Sequence, residues 1–294
     1  MDDLLIPVEL ADDYELEAPR CLLTEVAELI AEVRASAEDY GFSLNLAKGK
    51  TEVLIDAAGR GSKTLRRWMA DLLADDDGCP VLPIPGGGTV RLVTDYKHLG
   101  VRASAAASQA KEVAARATAT DQASAALWRE LTCKHYAVST RAVLAGACAH
   151  SKLLLGAGTW NPFTPQQEAK LHSAMLKPLR LAAGAHQLPL PGERRRRDVD
   201  VLASMQVPSL RARLDMARLR YLLRVAQYAT DFHRALLRGP AAADWRKTMV
   251  DSAVRLQEAL HPKLQALPHP EDDMAAWEAF ALAWPGQWCR LVDT

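Results

Sequence analysis

Aromatic side chains are scarce in this sequence, 6% of 294 residues, and much of the 49% apolar share is alanine. Alanine-rich and leucine-rich stretches favour helix over sheet, so a mainly helical chain with a minority of strand is expected. Cysteines are few and odd in number. Cys21, Cys79, Cys133, Cys148 and Cys289 stand far apart with no Cys-x-x-Cys or Cys-x-x-His pair, which argues against a zinc site or a disulfide framework and for reduced thiols. No apolar run approaches the roughly 18 to 20 residues that span a bilayer. The first residues, Met1-Asp2-Asp3, carry acid where a signal peptide carries base. A soluble intracellular chain, nuclear or cytoplasmic, neither secreted nor in a membrane, is the expectation. With 24% charged residues the composition is that of a globular protein, which excludes a wholly disordered, collagen-like or coiled-coil chain. The length suits one large domain or two ordinary ones.

Net charge is also absent: 36 basic side chains balance 36 acidic ones. That balance is not local. Residues 1 to 60 carry net −9, residues 61 to 150 net +3, residues 151 to 247 net +10, and residues 248 to 294 net −4. A carboxylate-rich start followed by a strongly basic middle suits a metal site beside a phosphate-backbone track better than an enzyme for small apolar substrates.

Along the chain, Leu4-Leu5-Ile6-Pro7-Val8 reads as a short edge strand. Helical spacing of Leu22, Leu23, Val26, Leu29, Ile30 and Val33 predicts a helix over 19–40, stopped at Gly41. Residues 42–46 and 51–55 read as strands around the turn Ala47-Lys48-Gly49-Lys50. A helix over 65–73, a turn at 75–78 and a loop at 83–88 follow. Residues 89–93 and 96–101 read as two strands of a hairpin around Thr94-Asp95. Beyond residue 103 helices are expected at 106–131, 136–154, 165–184, 208–238 and 243–264, separated by Pro and Gly.

Four segments, in this order, resemble a reverse transcriptase of the non-long-terminal-repeat retrotransposon type. Met1-Asp2-Asp3-Leu4 is similar to the aromatic-x-Asp-Asp motif of the palm's catalytic hairpin, the aromatic position falling ahead of the first residue. Gly41-Phe42-Ser43-Leu44-Asn45, followed by Gly49-Lys50-Thr51-Glu52-Val53, resembles the next palm motif. Tyr96-Lys97-His98-Leu99-Gly100 resembles the Tyr-Lys-x-Leu-Gly strand of the primer grip. Leu153 to Trp160, then Pro162, Thr164, Leu171 and Leu179-Arg180, resembles the helical thumb and connection region. The upstream palm motif with the other metal-binding Asp, the fingers and the sugar-selecting motif have no counterpart in these residues.

The resemblance implies an α+β fold: a partial polymerase palm of short antiparallel strands plus a helix in residues 1–103, a thumb-like helical region in 104–184, and a helical C-terminal region of unassigned role in 185–294. It implies RNA-directed DNA polymerase chemistry, two-metal nucleotidyl transfer from dNTP onto a DNA primer on an RNA template. Asp2 would be the closer Mg²⁺ ligand and Asp3 the supporting one, the alternative being solvated terminal acids. Asp12 and Asp13 read as capping acids before the first helix. Lys50 would stand near the pyrophosphate leaving group, with Lys48 second, or be an ordinary surface lysine at a turn. Tyr96, Lys97 and Gly100 would hold the primer backbone, or form an edge hairpin packed on the thumb.

Arg194, Arg195, Arg196 and Arg197, with Arg211, Arg213, Arg218, Arg220 and Arg224, make the densest basic region. It reads as a phosphate-backbone track, a solvated helix face or a nuclear-import signal. Trp245, Trp277, Trp284 and Trp288 read as core or interface anchors. On its own the chain is expected to be inactive, because one hairpin strand and the partner carboxylate are missing. The competing reading is a non-catalytic helical nucleic-acid-binding remnant that uses the basic middle.

Overall fold

The computed structural model of the protein describes residues 18–55, 62–98, 101–104, 108–185, 196–239, 242–260, 264 and 266–293. The expected strand at 4–8 and the acids Asp12 and Asp13 lie outside them. The chain divides into two compact units, residues 1–111 and 112–294. The class is α+β, mostly helical with a small sheet.

In the first unit, helix α1 (Ala18–Asp39) buries Leu22, Leu23 and Ala27 at helical spacing. It stops at Gly41, whose φ of 76° suits glycine. The Gly41 N–H donates to the Glu38 carbonyl and the Phe42 N–H to that of Ala37, a Schellman closure. Residues 42–46, expected as a strand, form none. Asn45 draws the segment into a loop: its side-chain oxygen accepts from the Ala47 N–H and its carbonyl from the Thr51 N–H, so this backbone is engaged locally and not in a ladder.

Strand β1 (Glu52–Leu54), helix α2 (Ser62–Asp71), strand β2 (Val81–Pro83) and strand β3 (Thr89–Val93) come next. β3 is central, pairing in parallel with β1 and antiparallel with β2. The sheet is therefore mixed where antiparallel strands alone were expected; α2 and β2 supply the chain that a parallel neighbour needs. Val90 and Leu92 of β3 pack with Leu23, Ala27, Leu65, Leu82 and Ile84 in one apolar cluster.

Strands β4 (Asp95–His98) and β5 (Val101–Ser104) form a separate antiparallel hairpin. Its two strands pair across residues 99–100, which lie outside the described residues, and not across Thr94-Asp95 as expected. β3 already has a partner on each edge and cannot also pair with β4.

Helix α3 (Ala110–Ala126) crosses the division between the units, and the second unit is helical. It contains α4 (Trp128–Thr132), α5 (Val138–Leu144), a π-helical turn (Ala145–His150), α6 (Ser151–Leu153), a short 3₁₀ turn (Ala157–Thr159) and α7 (Pro165–Ala182). Thr164 and Gln167 close the start of α7 with a reciprocal capping box. Helices α8 (Asp198–Met205), α9 (Leu210–Tyr228), α10 (Asp231–Arg238) and α11 (Ala243–Ala259) follow, then Met274–Ala283 and Pro285–Val292. α8 and these last two were not expected. They run to only 8, 10 and 8 residues, too short for a periodic signal.

α9 serves two cores. Leu210 and Leu214 join one with Leu171, Met175 and Leu179 of α7, while Leu219, Leu222 and Leu223 join another with Trp245, Met249, Trp277 and Trp288. Burying each such Leu or Met stabilises the fold by roughly 1.5–3 kcal/mol. The indole N–H groups of Trp245, Trp277 and Trp288 donate to the carbonyls of Gly158, Pro268 and Leu219. Trp284 is exposed. Among the described residues no helix is long and apolar enough to cross a membrane.

Candidate functional site

Lys50 lies in the loop at 45–51 between α1 and β1. The loop is closed from within by the Lys50 N–H to the Ala47 carbonyl, 3.0 Å. It is held from outside by Glu52, whose Oε1 accepts from the Gly49 N–H at 2.9 Å. Arg91, opposite Glu52 in the parallel register, fixes that carboxylate in turn. Its Nη1 lies 3.5 Å from Glu52 Oε1 and its Nε 2.8 Å from Asp75 Oδ2. Asp75 Oδ1 accepts from the N–H groups of Asp77 and Cys79, which makes the expected turn at 75–78 an Asx turn. The result is a set of charges that braces β1, β3 and two loops.

The two lysines of the loop have different surroundings. Lys48 Nζ donates to Asp77 Oδ2 at 2.9 Å. That hydrogen bond, with the charge of Lys48 next, holds the Asp77 carboxyl below the usual carboxylate range. The Lys50 side chain is exposed and has no partner among the described residues.

Tyr96 links the hairpin to this loop. Its Oη donates to the Lys50 carbonyl at 2.7 Å, across 46 positions of sequence. Lys97, the next residue of β4, points to the opposite face and is exposed. Gly100 lies outside the described residues. The structure thus brings together Lys50 and Tyr96, two residues that the sequence singled out separately. It also shows Glu52, Arg91 and Asp75 as the frame of the loop, which sequence reasoning missed because ion pairs between distant positions leave no local pattern.

The basic region departs from a single track. Arg194 and Arg195 lie outside the described residues. Arg196 sends Nη1 to the Ala183 carbonyl at 3.5 Å, and its own carbonyl accepts from Arg180 at 3.3 Å. Arg197 pairs with Asp200 through Nε at 3.1 Å and Nη2 at 3.2 Å. At roughly 100° per residue, Arg213, Arg220 and Arg224 of α9 fall on one side and Arg211 and Arg218 on the other. Arg218 is buried beside Asp215, Arg213 bonds to His150 Nδ1 at 3.0 Å, and Arg220 is paired with Asp293 at 2.5 Å. The five guanidiniums of α9 therefore do not all line one side of that helix.

Asp2 and Asp3 lie outside the described residues. Among the described ones, no group of three or more His, Cys, Asp and Glu side chains could hold a metal ion. Glu52, Asp75 and Asp77 gather around Arg91, which already supplies their counter-charge. No family model, curated protein or solved structure matches this chain.

Proposed function

We propose that this chain carries the part of a reverse transcriptase of the non-long-terminal-repeat retrotransposon type that runs from the palm Asp-Asp motif into the thumb, with Lys50 and the β4–β5 hairpin in one nucleotidyl-transfer site. The hydrogen bond from Tyr96 to the Lys50 carbonyl carries this reading. It joins two segments that resemble, independently, neighbouring parts of one polymerase active site. The order of the motifs along the chain supports it as well.

Asp2 and Asp3 offer the hard carboxylate oxygens that Mg²⁺ takes, and Mg²⁺ there would neutralise the triphosphate and the attacking oxygen. The exposed Lys50 ammonium, on a loop braced by Glu52 and Tyr96, is suited to neutralising or protonating the leaving pyrophosphate. The hairpin would position a DNA primer on its RNA template, and dNTP would be the second substrate. Catalysis would also require fingers and the upstream palm carboxylate.

The test is RNA-templated primer extension with Mg²⁺, using the chain joined to those upstream parts. Extension is expected, together with its loss on substituting Asp2→Ala and Asp3→Ala. Lys50→Ala is expected to slow extension by roughly 10²–10⁴-fold, the usual worth of a positioned acid. Undiminished extension by the double Asp variant would sink the proposal.

A further inference from the structure

We infer that Arg211 and Arg218 of α9, with Arg255 of α11, form a binding site for one phosphate group, carried by a small ligand that enters between the two helices. The site belongs to the second unit and does not rest on the polymerase reading.

One carboxylate serves these three guanidiniums, and it is already committed. Arg211, Asp215 and Arg218 follow one another at four and three residues, which puts them on one side of α9. Asp215 accepts from Arg255 through a two-bond fork, Nε and Nη2 each at 2.7 Å, and from Ser252 Oγ at 2.8 Å. Arg218 is left with one longer contact, Nη1 to Asp215 Oδ1 at 3.5 Å. Its side chain is only 6% exposed, and its Nε is buried without a hydrogen-bond partner. Burial lowers the Arg218 pKa, Asp215 opposes that, and the charges of Arg255 and Arg211 lower it further. Asp251 and Glu258 offset the charge of Arg255, not that of Arg218. Arg211 is exposed.

The buried positive charge therefore exceeds its counter-charge. A lysine in such a place could lose its proton, but a guanidinium stays charged. An unpaired buried charge is costly, and a bound anion offsets that cost. Phosphate suits the place because its oxygens can take forks from several guanidiniums at once, where a carboxylate offers only two oxygens. Burial sets the size. Arg218 lies too deep for a duplex resting on the surface, whereas a small ligand can reach it with Arg211 at the rim.

The experiment is thermal unfolding of the full chain near neutral pH, followed by tryptophan fluorescence, in phosphate and in chloride of equal ionic strength. Each tenfold rise in phosphate above its dissociation constant is expected to lift the midpoint by about 3–5 °C. Arg211→Gln, a change at the surface, is expected to weaken phosphate binding about 10-fold to 100-fold. Arg218→Met is expected to abolish the phosphate effect, with a midpoint in chloride equal to or above that of the parent, because the excess buried charge is gone. A shift in glycerol phosphate equal to that in inorganic phosphate assigns a phosphate monoester, and a shift in inorganic phosphate alone assigns the free ion; both support the site. Equal midpoints of the parent in phosphate and in chloride overturn it, and so does a phosphate shift that persists in both variants. An RNA–DNA hybrid that displaces phosphate and loses affinity in Arg218→Met overturns the small ligand in favour of a nucleic-acid surface.

Discussion

Acidification is expected to weaken the second unit through one imidazole. His150 closes the π-helical turn and is 1% exposed, with Nε2–H donating to the Met175 carbonyl at 2.9 Å and Nδ1 accepting from Arg213 Nη1 at 3.0 Å. Those partners accommodate only the neutral ring. Burial, then the nearby Arg213 charge, lowers its pKa from 6.5 to about 4, against the opposing pull of the Met175 carbonyl. In the unfolded chain the ring takes up a proton near pH 6.5, so between pH 6.5 and 4 the unfolded state binds more protons than the folded one. Stability present above pH 6.5 is therefore lost as pH falls through that window. At about 1.36 kcal/mol per pKa unit the loss is about 2 kcal/mol at pH 5 and about 3 kcal/mol below pH 4. Urea unfolding read by tryptophan fluorescence reports on the right unit, since six of the seven tryptophans lie in it. Comparing the parent with His150→Gln at pH 7 and pH 5 cancels the other histidines. Equal losses in the two proteins, or an NMR titration of His150 centred near 6.5, would refute the reasoning.

Two further substitutions test the packing of α9. A methyl group at Gly158 would lie 2.5 Å from Tyr221 Cβ and 2.9 Å from the Ala217 carbonyl oxygen. Gly158→Ala should therefore destabilise the second unit by roughly 1–3 kcal/mol in a denaturant titration, and an unchanged midpoint would show that this approach is not tight. Asp215 is buried and accepts from Ser252 Oγ at 2.8 Å and twice from Arg255 at 2.7 Å, with Arg218 at 3.5 Å. Asp215→Asn leaves two guanidiniums without their carboxylate and is expected to cost roughly 3–5 kcal/mol. A loss below about 1 kcal/mol would mean that water, not Asp215, carries those charges.

Much of the second unit was legible because its signals are local. Leu210, Leu214, Leu219, Leu222 and Leu223 repeat at helical spacing, and Gly41 marks the end of α1 by the same local rule. The ends of long helices were less legible: the expected 208–238 helix is broken into α9 and α10, where Ala229 leaves the helical conformation and the side chain of Thr230 bonds the His233 N–H. The strands were legible as apolar runs but not as partners. Nothing near Thr94 shows that β3 is saturated by β1 and β2, so the hairpin had to fall one strand later.

For the candidate site, the sequence by itself determined which residue types were present and in what order: lysines in a glycine turn, a tyrosine and lysine on a strand, arginines in a run. Those choices rest on short-range chemistry, turn-forming glycine and strand alternation, which neighbours in sequence decide. Only the tertiary structure decided that Tyr96 holds the Lys50 loop, that Arg91 braces Glu52, and that Arg213 and Arg218 turn inward. Hydrogen bonds and ion pairs between distant positions depend on strand register and helix rotation, and both are settled by which apolar faces bury together.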